Sequence, residues 1–374
     1  MDLSRRQLLV MAPAAARLAA APSTHTLFVG TYTRGDSKGI YAFDFDPAAG
    51  KLSPRGVAAE VANPSFLTIH PNGRFLYAVG ELSDFQGEKS GGVHAFSIDR
   101  DAARLKLLNS LPSGGTSPCH LVVDRTGRNL LVVNYGSGSS SVFRLKQDGS
   151  LEKRSGYVQH SGSGPTARQK GPHAHSVNLS KNNRFAVVAD LGLDQYIVYS
   201  FNETDGTIAP HSIGKPGKAG VGPRHFNFHP SYKTAYGVNE MGSLVTVFDW
   251  SEAKGELKHR QDVSTIPAGV QGNNCAEILV HPNGKFVYAS NRGHDSIALF
   301  QLTDDGGIKG EAETFPTQGK TPRNFRIDPS GKWLLAENQD TASIVVFGIN
   351  QQTGKLTPNG ETQKVDFPVC IRFL

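Results

Sequence analysis

The sequence predicts an all-β fold: a seven-bladed β-propeller with four-stranded blades, its ring closed by pairing of the N- and C-terminal strands. Three observations carry this. One segment returns seven times, short runs inside each copy read as strands, and the two chain ends read as halves of one blade.

The repeat is clearest from Pro64, which opens Pro-Ser-Phe-Leu-Thr-Ile-His-Pro-Asn-Gly. Related segments start at Pro118, Pro172, Pro223, Asn274, Pro322 and Pro368, spaced by 54, 54, 51, 51, 48 and 46 residues. A near-constant period of this length, built from short strands, marks a propeller or solenoid. Within a copy, an apolar alternating stretch ends at a turn, as at 70–73, 124–127, 281–284 or 328–331. A second run follows at once (75–79, 130–133, 185–189, 286–289, 333–336), then an alternating third and a weaker fourth after a Gly-rich turn. β-Branched and aromatic residues between Pro, Asn and Gly punctuation are strand signals, and no long stretch carries the 3.6-residue helical period. Four strands in each of seven units make a propeller.

Residues 367–374 read as the opening strand of a seventh unit, whereas 26–32 and 39–45 read as a second and third strand without a first. Pairing the two ends closes the ring and removes a sheet edge that would invite aggregation. Residues 23–374 therefore form one domain, and 41 glycines suit its many turns.

Residues 1–22 tell a separate story. Arg5-Arg6, a short mildly apolar run and an Ala-rich end resemble a twin-arginine export signal, which predicts a periplasmic or secreted protein; the alternative is a cytoplasmic tail. The run is interrupted by Pro13 and Arg17 and is too short to span a membrane. Net charge is +6, and because residues 1–21 hold three arginines and one aspartate, it falls to +4 without them. With no clustered basic run or aromatic-basic stripe, nucleic acid is not an expected partner. Cys119, Cys275 and Cys370 fall near the start of first strands and read as small core residues. No CxxC or Cys/His zinc spacing exists, so no structural metal and no cofactor are expected.

Function is expected where the repeats disagree. The start of each first strand and the end of each second strand face one mouth of the central channel. Those positions hold Ser65, Cys119-His120, His173-Ala174-His175, Arg224-His225, Ala276-Glu277, Arg323-Asn324, Glu81, Tyr135, Asp190, Glu240, Asn291-Arg292 and Glu337. Charged groups crowded into a funnel are costly unless they pair or hold a ligand. By contrast His70, His229 and His281 recur in one turn and read as architectural.

Several motifs in register carry a resemblance: Gly222-Pro223-Arg224-His225, Val238-Asn239-Glu240, Ala276-Glu277-Ile278, Tyr288-Ala289-Ser290-Asn291-Arg292-Gly293 and Gly171-Pro172-His173-Ala174-His175. They resemble the bacterial 6-phosphogluconolactonase family of propeller lactonases, which also includes fungal 3-carboxymuconate lactonising enzymes. The likeness runs from Thr26 onward. It implies a metal-independent site with His175, Arg224, Glu240 and Arg292 as catalytic residues. His173, Asp190, Glu277, Asn291 and Arg323 would bind substrate. Glu337 stands where that family more often has Ala, which adds a carboxylate near the site.

The expected activity is hydrolysis of a small, anionic lactone, with Glu240 or His175 as general base and the arginines stabilising negative charge. The alternatives are a muconate-type cycloisomerase and a non-catalytic carbohydrate- or protein-binding propeller. A calcium site drawing on Glu81, Asn134, Asp190 and Glu337 is a further alternative.

Overall fold

The structure is a computed structural model and describes residues 24–374, so the proposed export signal lies outside the described residues. Seven four-stranded antiparallel sheets follow one another around a channel. One blade joins Pro368–Phe373 to His25–Thr31, Gly39–Asp46 and Lys51–Glu60. Its register sets Leu27 opposite Phe373 and Gly30 opposite Cys370, so the ring closes through the chain ends as expected.

The second strands explain why the sequence signal is so strong. Phe75–Gly80, Asn129–Asn134, Phe185–Asp190 and Thr234–Asn239 are buried at every position. Neighbouring blades cover both of their faces, which selects near-continuous apolar runs. Each fully buried Val, Leu or Phe contributes about 1.5–3 kcal/mol of hydrophobic stabilisation. The fourth strands lie at the rim, and Leu151–Gln159 and Leu356–Lys364 are correspondingly half exposed.

Recurring polar side chains clasp successive blades. The Nε2 atoms of His70, His229 and His281 meet the carbonyls of Gly127, Gly284 and Gly331 at 2.9, 2.9 and 2.7 Å. A Cβ at Gly127 would lie 2.4 Å from the His70 ring, and φ there is +72°, so only glycine fits. Farther out, Tyr77, Tyr236 and Tyr288 donate their hydroxyls to the carbonyls of Gly149, Gly306 and Gly354. These are the architectural roles that recurrence predicts.

Candidate active site

Two equivalent positions of the repeat build one mouth of the channel. In the first strands, pairing skips one residue near the start, a β-bulge that leaves its side chain free of the ladder. The skipped residues are Cys119, His175, Arg224, Arg323 and Val369. The second position follows the last inward pair of the second strand and supplies Tyr32, Glu81, Tyr135, Glu240 and Arg292.

A cavity of about 230 Å³ opens there, lined by Glu81, Arg168, His175, Glu240, Arg292 and Arg323, with Cys119 and Tyr135. That volume is below the ~300–1,000 Å³ of drug-sized sites and suits a small polar ligand. Beneath it lies a void of about 10 Å³ that shares Glu81, Cys119, His175 and Arg323 and adds Arg224, His225 and Asn324.

Glu240 organises the cations. Its Oε1 accepts from Arg168 at 2.9 Å, and its Oε2 accepts from Arg224 Nε and Arg292 at 3.0 Å each. Burial alone would raise its pKa, but Arg292, Arg224 and Arg168 together hold it down to about 2. Arg224 also donates to the Ala276 carbonyl at 2.6 Å, and Arg292 to that of Cys275 at 2.8 Å. The buried Nε of Arg292 has no partner among the described residues. Burial, then the Arg224 charge, lowers the Arg292 pKa to about 10, so it stays cationic at neutral pH.

Arg323 lies 5.3 Å over the Tyr32 ring and has no hydrogen-bond acceptor among the described residues. Four guanidinium groups thus face two carboxylates, a surplus of positive charge around the cavity. His175 is 5% exposed, and its Nδ1 lies 3.7 Å from Cys119 Sγ. Burial, then Arg224 and His225, pushes its pKa well below the usual imidazole range, so it is neutral at pH 7.

The structure brings His175, Arg224, Glu240, Arg292 and Arg323 together. It does not bring the other four expected residues to the cavity. Asp190 is fully buried and saturated: Oδ2 meets His160 Nδ1 at 2.6 Å, and Oδ1 accepts from the His173 and Leu193 amides. Asn291 exchanges hydrogen bonds with Thr265, Asn273 and Ser296. Glu277 is spent on His225 Nδ1, the Ile278 amide and Asn324 Nδ2. His173 sits outside the bulge, stacked on Tyr135 with centroids 4.6 Å apart.

Glu337 is also corrected. Instead of joining the site it is fully buried in the blade wall, with no partner for either oxygen among the described residues, and burial pushes its pKa well up. Of the four residues named for calcium only Glu81 lines the cavity, and no three His, Cys, Asp or Glu side chains among the described residues are grouped to hold an ion.

A known family's profile, described as "Lactonase, 7-bladed beta-propeller", matches residues 26–373. The chain belongs to this family of propeller lactonases. It is 37% identical to the 6-phosphogluconolactonase of Bacillus subtilis over 93% of this chain and 97% of that one. A solved Bacteroides fragilis structure superposes with a TM-score of 0.86 at 36% identity, over 97% of this chain and all of that chain. The structure of a periplasmic gluconolactonase from Pseudomonas aeruginosa superposes at 0.87 with 30% identity, over 94% and 99% of the two chains.

Four residues lining this lactonase cavity were not among the expected catalytic or binding residues: Glu81, Cys119 and Tyr135, which belong to the mouth positions, and Arg168, which does not. Glu81 occupies the same repeat position as Glu240, so its placement was readable from the sequence. Arg168 was not readable, because it belongs to a blade-joining loop with no counterpart in other repeats. That loop is nonetheless well held. Gln169, fully buried in the short 3₁₀ turn Ala167–Gln169, donates to the Leu191 carbonyl and to Asp194, and accepts from Thr166.

Proposed function

We propose that this lactonase opens a small sugar lactone bearing a phosphate or carboxylate, with 6-phosphogluconolactone as the leading substrate. The single observation that carries this reading is the excess of guanidinium groups: three line the small cavity and Arg224 lines the void beneath it, with Arg323 free of protein acceptors among the described residues. Planar guanidiniums bind carboxylate and phosphate bidentately. Arg168 and Arg292 are placed to take the anionic group of the ligand. Arg323 is placed to stabilise the oxyanion that develops when water attacks the ring carbonyl. δ-Lactones are reactive esters, so charge stabilisation and proton transfer suffice for useful acceleration.

The test is the rate of lactone opening by the chelator-treated protein, above the buffer rate, on 6-phosphogluconolactone, gluconolactone and a muconolactone. A kcat/KM at least tenfold higher for the phosphorylated lactone is expected. Equal values for the first two would remove the role given to the arginines. Selective turnover of muconolactone would favour the cycloisomerase, and no turnover a binding propeller.

A second reading is favoured by the Arg5-Arg6 segment together with the likeness to the P. aeruginosa protein. In it the chain is exported and acts on unphosphorylated gluconolactone. Replacing Arg5→Lys with Arg6→Lys is expected to retain the protein in the cytoplasm; an unchanged distribution would reject export.

A further inference from the structure

We propose that Glu81, rather than Glu240 or His175, is the general base, and that it deprotonates a water seated in the small void under the cavity. This rests on the lactonase reading above and assigns a step within it.

The two carboxylates at this mouth are held in opposite ways. Both oxygens of Glu240 are bonded to guanidiniums, so a proton arriving there must break at least one ion pair. Glu81 makes no salt bridge among the described residues. Its Oε2 accepts from the Tyr32 hydroxyl at 2.9 Å and from the Ser65 hydroxyl, while Oε1 has no protein partner among the described residues. Tyr32 and Ser65 thus fix the carboxylate from one side and leave the other oxygen for the ligand space. His175 is the remaining candidate. It lies in the same wall, but becoming imidazolium there would add a buried cation beside Arg224 and Arg323.

The void supplies the place for the nucleophile. Its volume of about 10 Å³ is close to the ~10–15 Å³ needed to seat one water. A seated water also needs two to four polar partners, and Glu81, His175 and Asn324 supply them. Asn324 Nδ2 is committed to Glu277 at 2.6 Å, whereas its buried Oδ1 has no partner among the described residues. Because the void and the cavity share Glu81, His175, Cys119 and Arg323, a water there lies directly beneath a lactone bound above.

The step balances. Glu81 takes one proton as the water oxygen bonds to the carbonyl carbon, giving a tetrahedral oxyanion against Arg323. Collapse of that oxyanion re-forms the carbonyl and breaks the ring C–O bond. The departing ring oxygen takes the proton from Glu81 and becomes a hydroxyl. The new carboxylic acid then ionises to solvent, and Glu81 is again a carboxylate.

The test is kinetic, on the full chain with 6-phosphogluconolactone and gluconolactone. Glu81→Gln is expected to lower kcat at least 100-fold with KM within about threefold, the usual scale for a lost general base. Glu81→Ala should regain activity with added formate, which a structural role would not produce. The acidic limb of kcat/KM should vanish in Glu81→Gln and persist in Glu240→Gln. Tyr32, Cys119, Tyr135, Arg168, His175, Arg224, Glu240, Arg292 and Arg323 face the same space, so the limb's position reports them together with Glu81. Should Glu81→Gln not fold, Glu81→Asp keeps the charge and is expected to lose tenfold or more in kcat. Near-wild-type kcat in folded Glu81→Gln, or an acidic limb abolished only by Glu240→Gln, would overturn the assignment. Absence of lactone opening in the unmutated protein would instead overturn the lactonase reading itself.

Discussion

The two mouths of the channel are made by opposite ends of the same seven strands, yet their chemistry differs completely. One holds the 230 Å³ cavity with its arginines, carboxylates and His175. The other opens into a larger space of about 550 Å³, walled by Val122, Asn178, Asn227, Phe228, Tyr232 and Val280 among others. Its one charged wall residue, Arg125, is occupied by the Ser180 carbonyl and the Tyr232 hydroxyl. At that end three blades repeat a turn whose side chain serves the next blade, through His70, His229 and His281. At the first end, bulges release one residue from pairing in five of the blades, and the released residues diverge. Volume alone would point to the wrong mouth. Divergence within a repeat, together with groups left unsatisfied by the protein, points to the chemistry.

The largest expected effect sharpens the contrast. Arg323→Ala removes a guanidinium that holds no protein acceptor, so stability should change little while kcat/KM falls about 10²–10³-fold. Initial rates and a thermal melt on one sample check both halves; a large loss of Tm with retained activity would reverse the roles assigned to it.

Glu277 should matter mainly for stability. Burial would raise its pKa, but His225 and the Ile278 amide hold it down to about 2 against an ordinary 4.5. Its contribution is therefore complete above about pH 4.5 and lost as pH falls toward 2, roughly 3 kcal/mol at most. Denaturant unfolding across that window should be visibly flatter in Glu277→Gln; a slope equal to the parent's would contradict this.

At the second mouth, His229→Ala removes one blade clasp and should lower stability by about 1 kcal/mol. Lactone opening should stay within twofold, and a tenfold loss would show that the two ends are coupled. The smallest effect runs the other way. Burial raises the Glu337 pKa, so its folded value lies above its unfolded one. The unfolded carboxyl ionises first as pH rises, and the penalty appears above about pH 4.5. Glu337→Met should add about 1 kcal/mol at pH 7–8 and nothing near pH 4, which melts at the two pH values will show.

The fold was legible because every blade states it again: the period, the turn and the doubly buried second strand are written many times over. Ring closure was legible for the same reason, as two incomplete copies. The site was only partly so. Asp190 and Asn291 stand at a position that holds Asn in four repeats, as Asn134, Asn239, Asn291 and Asn338. There the amide of Asn134, Asn291 or Asn338 bonds the facing Ser of the next strand. The recurrence that marks His70 as architectural marks Asn291 as well. His173 was misplaced for another reason. The bulge follows Ala174 as it follows Pro118, so Ala174 and not Pro172 matches Pro118, and His175 takes the cavity position. Bulges and the fold of the Arg168 loop depend on packing across blades, and no local pattern in the chain announces them.

The pairing of Leu27 with Phe373, and the bond from the Leu374 amide to the Thr26 carbonyl at 2.9 Å, set both ends of the described chain side by side on the face of the second mouth. An affinity tag, a surface tether or a fused domain attached at either end would therefore stand behind the ring. The protein immobilised in this way, from either end of the described residues, would present the mouth with the 230 Å³ cavity outward to solution.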